Sequence, residues 1–301
     1  MTIRIGTRGS VLARWQAEWC VAQLKQRGIE TELVIIQTKG DVVQDKPLAG
    51  FGGQGVFTKE IQRALLENEA DLAVHSLKDL PTQPVVGLTL AAVPKRASYY
   101  DVFVSNTFDG LQTLPAGAKI GTGSLRRKTQ ILYNFGDKFI IEDIRGNVET
   151  RLRKLDEGQY DALILAEAGL ERLGLGNRIR SRLEPPFFLP AIGQGALGLE
   201  IRTDDKHTAA LIAPLSDKKS FLEVSAERAF LRTLQAGCSS PTAALALFNG
   251  EELVLHGRIL SPDGRKMLER ITSGTLLRHA ETLGIQLAEE LLHQGAAELL
   301  C

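Results

Sequence analysis

Residues 71–82 read DLAVHSLKDLPT, and the interpretation of this stretch decides the fold. Leu72, Ala73 and Val74 form a short apolar run of the kind expected in a fully buried strand. The run opens directly into His75, Ser76, Lys78 and Asp79, and Pro81 stops it. In parallel α/β sheets, polar and charged residues gather at the carboxyl ends of buried strands, where ligands sit. The flanking sequence keeps that rhythm. IRIGT (3–7) and ETELVIIQT (30–38) read as strands. The helix between them places Leu12, Trp15, Trp19, Cys20 and Leu24 on one face. GVFTKEIQRALLENE (55–69) reads as a helix with Phe57, Ile61, Ala64 and Leu65 inward.

A second series follows a linker at Lys95–Tyr100. AKIGTGS (118–124) is strand then turn, and LRRKTQILYNFG (125–136) is a helix closed by Gly136. KFIIEDIRGN (138–147) is strand then turn, VETRLRKLDEG (148–158) a helix closed by Gly158, and YDALILAEAGL (160–170) strand then loop. After LPAIGQGALGLEIR (189–202) the pattern changes. SFLEVSAERAFLRTLQAG (220–237) reads as one long helix. Residues 243–272 read as three antiparallel strands joined by NGEE and SPDGR turns, and a last helix spans roughly Leu276 to Leu292. The expected class is α/β, with mostly parallel sheets. Three domains are predicted: residues 1–97 with 196–215, residues 98–195, and an α+β domain over 216–301.

Bulk properties narrow the function. The chain has 301 residues, with 36 Lys+Arg against 36 Asp+Glu, so its net charge is zero. That argues against a generic nucleic-acid binder or a protein drawn to anionic membranes. No apolar stretch nears the ~20 residues of a spanning helix. The N-terminus begins as a strand without the features of a secretory signal. Three scattered cysteines fit a reducing cytoplasm and suggest neither a disulfide framework nor a metal site.

Any cationic site must then be local, and four strand-to-helix junctions supply one. GTRGS carries Arg8 and Ser10; GTGSLRRK carries Thr122, Ser124, Arg126 and Arg127; IRGNVETR carries Arg145 and Arg151; EAGLERLG carries Arg172. Small residues at a helix N-terminus expose backbone N–H groups that suit an anion, and arginine adds a planar fork matched to carboxylate or phosphate. One such junction is as easily a surface arginine beside an N-cap; four together point to a polyanion pocket. None is a nucleotide fingerprint. Lys59, in the first turn of a helix, opposes the dipole, which fits an anionic ligand, and a solvated surface lysine fits nearly as well. Gln194 lies between glycines at the return crossing, and by itself signals only a hinge. Cys20 falls on an apolar face and Cys301 is terminal. Cys238 follows Gly237 on a polar loop, where a thiolate could be accessible or the cysteine merely incidental.

With these pieces in order along nearly the whole chain, the sequence resembles the porphobilinogen deaminase (hydroxymethylbilane synthase) family. The resemblance rests on IRIGTRGSVLARWQA, TKGD, GGQGVFTKEI, DLAVHSLKDLPT, IGTGSLRRKTQ, IRGNVETRLRKL, LAEAGLERLG, LPAIGQGALGLE and AERAFLRTLQAGCSSP. It implies two doubly wound domains like type II periplasmic binding proteins, plus a small α+β domain. It implies an enzyme that condenses four porphobilinogen molecules, with loss of ammonia, onto a covalent dipyrromethane primer and then releases a linear tetrapyrrole. Asp79 then matches the catalytic carboxylate, assisted by Lys78. Cys238 matches the thioether attachment, with Lys78, Ser124, Arg126 and Arg127 holding the cofactor. Arg8, Ser10, Lys59, Thr122, Arg145, Arg151, Arg172 and Gln194 match substrate-binding positions. Two departures stand out: Gln54 replaces a usual lysine in the glycine loop, and Ala243 a usual glycine after the cysteine. A cytoplasmic monomer is expected, without a metal. The α/β lobes alone would equally suit a non-enzymatic carboxylate-binding protein; bound pyrrole mass on the intact chain would separate the two.

Overall fold

The computed structural model of the chain describes residues 2–37, 58–237, 239–275 and 280–300. Its contacts divide into two compact units, residues 1–97 with 195–221 and residues 98–194 with 222–301.

The first unit begins β1 (Ile3–Thr7), α1 (Val11–Lys25), β2 (Thr31–Ile35), α2 (Lys59–Leu66), β3 (Leu72–Ser76) and β4 (Leu88–Ala92). The second begins β5 (Asp101–Val104), β6 (Lys119–Gly121), α3 (Leu125–Phe135), β7 (Ile140–Glu142), α4 (Val148–Asp156), β8 (Ala162–Ala166), α5 (Glu167–Arg172) and β9 (Ile179–Leu183). The chain returns to the first unit with β10 (Leu197–Arg202) and α6 (Lys206–Ile212), and the unit boundary falls within α7 (Lys218–Thr233). The remainder is β11 (Thr242–Phe248), β12 (Leu253–Leu260), β13 (Met267–Gly274), α8 (Ala280–His293) and α9 (Ala296–Leu299).

The two five-stranded sheets share one plan. In the first, the order is β2-β1-β3-β10-β4; in the second it is β7-β6-β8-β5-β9. Three parallel strands are followed in each by one antiparallel strand, β10 or β5, and an edge strand. The expected parallel character therefore holds for only part of each sheet. The reason is visible in the register: β10 starts opposite the last residue of β3 (Leu197 with Ser76), and β5 starts opposite the last residue of β8 (Asp101 with Ala166). A strand that enters at the carboxyl edge must run back against its neighbour. Strands β4, β5 and β9 escaped the sequence reading, and the loop expected after β8 is the short helix α5.

Helix α1 buries Gln16, Ala17, Cys20 and Leu24. Trp15 and Trp19, expected inward, are half-buried, and Trp19 packs against the core that holds Ala17, Cys20 and Leu24. Helix α2 buries Ile61, Ala64 and Leu65 as expected; Phe57 lies outside the described residues. Residues 222–301 fall in the second unit with residues 98–194 and keep a sheet of their own, β11-β12-β13, while residues 216–221 fall in the first unit. The three antiparallel strands occur as read, backed by Phe230, Leu255, Leu287 and Leu291. The last helix begins at Ala280, and residues 276–279 lie outside the described set. Ala243 sits buried within regular β11, packed with Leu189 and Leu245, so a Cβ is accommodated there.

Arg258 of β12 fastens this sheet to the rest of the unit. It donates to Gln130 Oε1 at 2.9 Å, to the Pro186 carbonyl at 2.5 Å and to Glu269 at 2.6 Å. Gln130 lies on α3, which also bears Arg126 and Arg127. No helix among the described residues is long and apolar enough to cross a membrane.

Candidate active site

In the first unit, β1 and β3 are parallel neighbours, so the segments that follow them emerge side by side. After β1 come Arg8 and Ser10; Ser10 caps α1 by accepting from the Ala13 N–H at 3.4 Å. After β3 the chain makes a 3-10 turn over Leu77–Asp79. Leu77 is buried and anchors the turn. A Cβ at Gly198 would come within 2.8 Å of its Cδ1, so only glycine lets β10 pass. With Leu77 held inward, Lys78 is half-exposed and Asp79 exposed.

Arg8, Ser10 and Asp79 line one pocket, together with Gln16, Thr58 and His75. Gln16, buried on α1, donates to Ser76 Oγ at 2.8 Å. His75 Nε2 lies 3.0 Å from Glu200, which also accepts from Gln62 Nε2 at 3.0 Å. The buried Thr58 hydroxyl has no hydrogen-bond partner among the described residues. The floor of the pocket is thus held by buried polar pairs, while Asp79 stays at the rim. Lys78 does not line this pocket, and Lys59 is exposed at the first residue of α2. The sequence reading missed Gln16, although a glutamine between Leu12 and Cys20 on an otherwise apolar stripe was a usable signal.

In the second unit, β7, β6 and β8 are parallel neighbours, and the three arginine-bearing junctions follow their carboxyl ends. Ser124 caps α3 by accepting from the Arg127 N–H at 3.4 Å, and Thr122 Oγ1 accepts from the Ser124 N–H at 3.2 Å. Arg126 and Arg127 are both buried. Arg126 Nη1 donates to Asp101 Oδ2 at 2.6 Å and to the Leu189 carbonyl at 2.7 Å. Arg127 donates to Asp101 Oδ1 through Nε at 2.9 Å and Nη2 at 2.7 Å, and to the Ile164 carbonyl through Nη1 at 2.8 Å. Gln194, buried, donates to the same Oδ1 at 3.0 Å and to the Tyr99 carbonyl at 2.9 Å. Burial opposes ionisation of Asp101, but the two guanidiniums outweigh it and hold the carboxyl well below the usual range.

At the next junction, Gly146 has φ +110°, and a Cβ there would meet Thr150 at 2.7 Å. Glycine lets Asn147 cap α4, accepting from the Thr150 N–H at 2.8 Å, while the Gly146 carbonyl accepts from Arg151 Nε at 2.9 Å. Arg145 is half-buried, 3.5 Å from the exposed Asp143. Arg172 ends α5; burial pulls its guanidinium down to about 10, against the opposing pull of Glu171. Ser240 closes a turn onto the Gly237 carbonyl through its N–H at 3.0 Å and Oγ at 2.7 Å. Cys238 lies outside the described residues, as do Cys301, Gln54 and the surrounding glycines. Cys20 is fully buried, and burial pushes its thiol up to about 12.

Fold and site define a class first: α/β units whose strand ends carry arginines beside helix N-termini. Similar solved structures include a putative methionine-binding lipoprotein from Bacillus subtilis (14% identity, 73% of this chain and 93% of that one, TM-score 0.45). Another is an arginine-specific periplasmic binding protein from Salmonella typhimurium (13% identity, 73% and 93%, TM-score 0.40). At these scores neither speaks for a ligand. Two family models decide the matter: the porphobilinogen deaminase dipyrromethane cofactor binding domain matches residues 3–210, and the porphobilinogen deaminase C-terminal domain matches residues 221–293. The chain belongs to the porphobilinogen deaminase family. It carries that family's activity, a transferase condensing porphobilinogen into the linear tetrapyrrole on a dipyrromethane cofactor. The donor set fits such a group: two buried guanidiniums share a single carboxylate, leaving positive charge for a ligand that carries carboxylates.

Proposed function

We propose that Asp79 is the carboxylate that serves each condensation, and that Arg8 and Ser10 hold a substrate carboxylate beside it. The observation that carries this is the shared pocket of Arg8, Ser10 and Asp79 at the ends of β1 and β3. Loss of ammonia from porphobilinogen leaves positive charge on the pyrrole, and a carboxylate within reach stabilises that charge and moves protons at the pyrrole nitrogen and the leaving amine. Lys78, next in the same turn, offers its ammonium to a carboxylate of the chain. In the second unit, Thr122, Ser124, Arg126, Arg127, Arg145, Arg151, Arg172 and Gln194 bind acetate and propionate groups. Cys238 attaches the cofactor, which when bound supplies the terminal pyrrole carbon on which the product is built. Residues 216–301 act as the cofactor-bearing domain. The chain works as a cytoplasmic monomer.

The test is turnover of porphobilinogen by Asp79→Asn, with ammonia and tetrapyrrole both measured. The amide keeps the shape and removes the charge. Because Asp79 is exposed, stability should change by no more than about 0.5 kcal/mol. Loss of the charge should cost on the order of 10²–10³ in rate. A folded variant with near-normal turnover would remove Asp79 from the role.

A further inference from the structure

Arg126, Arg127 and Gln194 converge on Asp101, a residue that no functional reading of the sequence singled out. Its side chain is completely buried, and it is the first residue of β5, opposite the end of β8. One oxygen accepts from Arg127 Nε and Nη2 and from Gln194 Nε2; the other accepts from Arg126 Nη1. We propose that Asp101 is the positioning residue of the arginine site: it orients both guanidiniums and the Gln194 amide, and leaves the cluster one negative charge short, to be supplied by a single ligand carboxylate. This rests on the reading of Arg126 and Arg127 as carboxylate-binding residues.

Three observations carry the proposal. The first is charge: two guanidiniums face one carboxylate, and an uncompensated buried cation is costly, so the site gains from an added anion. The second is the pattern of used donors. Arg127 spends Nε, Nη1 and Nη2 on protein acceptors, whereas Arg126 is held through Nη1 alone; its Nε and Nη2 have no hydrogen-bond partner among the described residues. Asp101 thus pins Arg126 at one corner and reserves the opposite edge of the fork, the geometry that pairs with a carboxylate. The third is rigidity. Arg127 also bonds the Ile164 carbonyl, and Gln194 the Tyr99 carbonyl, so each group that Asp101 orients is held at a second point. Asp101 itself touches no reacting atom in this scheme and acts through the residues it orients.

Two substitutions in the holoprotein separate positioning from charge balance. Asp101→Glu keeps the charge and moves the carboxylate by one methylene; Asp101→Asn keeps the place and removes the charge. Expected for Asp101→Glu is a kcat at least tenfold below wild type, with the fraction folded unchanged by circular dichroism and partially elongated enzyme accumulating in intact-mass spectra. For Asp101→Asn, which adds net positive charge, KM for porphobilinogen should not rise while kcat falls tenfold or more. Either variant, if folded, suffices. Wild-type kcat and KM per folded molecule in Asp101→Glu would overturn the proposal, since charge balance alone would then explain the residue. So would kcat and KM falling in Asp101→Asn only in proportion to the folded fraction. Failure of the wild-type protein itself to retain pyrrole mass and turn over porphobilinogen would instead overturn the underlying reading of the arginines.

Discussion

Arg127→Leu and Arg145→Leu should separate into a stability variant and a kinetic variant, although sequence alone treats the two arginines alike. Arg127 is buried and donates twice to Asp101 and once to the Ile164 carbonyl. Removing one member of a buried pair costs about 3–5 kcal/mol. Arg126 and Gln194 would remain on Asp101, so the lower end applies, about 3 kcal/mol. At roughly 2–4 °C per kcal/mol for a domain of this size class, Tm should fall by about 6–12 °C. Arg145 pairs at 3.5 Å with the exposed Asp143, an interaction worth about 0–1 kcal/mol, so its loss should move Tm by no more than ~4 °C. Each lost charge-assisted contact to a ligand carboxylate costs about 1.5–3 kcal/mol. Arg145→Leu should therefore lose roughly ten- to a hundredfold in kcat/KM for porphobilinogen. Scanning calorimetry of the holoprotein and steady-state turnover measure the two effects separately. Equal Tm values for the two variants, or a wild-type Tm for Arg127→Leu, would refute the assignment of the Asp101 pair as a folding contact.

Peptide mapping should find the pyrrole mass on Cys238 alone; Cys238→Ser should fold yet carry none, whereas Cys20→Ala should keep it and lose about 1 kcal/mol of stability as a small cavity. Added mass on the Cys20 peptide would contradict the burial that pushes this thiol up to about 12. Acid stability should follow Asp71 and Asp101. Burial opposes ionisation of Asp71 too, and hydrogen bonds from Arg4 and Arg202 outweigh it, so both carboxyls are depressed in the fold. Their contribution is fully present above the unfolded value of about 3.9 and is lost as pH falls below it. Tm measured from pH 7 to pH 3 should stay level to about 5 and drop below about 4; a level profile to pH 3 would show that neither pair supports the fold.

Much of the site was legible because it is local. The junctions after β1, β6 and β7 combine glycine, a capping hydroxyl or amide, and arginine within a few residues, the one after β8 combines glycine and arginine without a cap, and the order of strand and helix alone places all four at strand ends. The short run at 71–82 was enough to put Lys78 and Asp79 at the end of a buried strand, but not to show that they lie on a 3-10 turn anchored by the buried Leu77. The orientation of β5 and β10 was not legible. Each is short and buried along nearly its whole length, and such a run carries no mark of direction; that comes from the edge at which the chain enters the sheet. Periodicity also put Trp15 and Trp19 inward on α1. It reports a face of the helix and not the depth of each side chain on it: Gln16 and Ala17 are buried, whereas Trp19 packs half-buried against the core. Asp101 is the clearest case. By sequence it is one acidic residue at the head of an apolar strand, 93 positions from Gln194. Only the pairing of β5 with β8 brings it beneath α3, where its negative charge meets two guanidiniums out of reach of water.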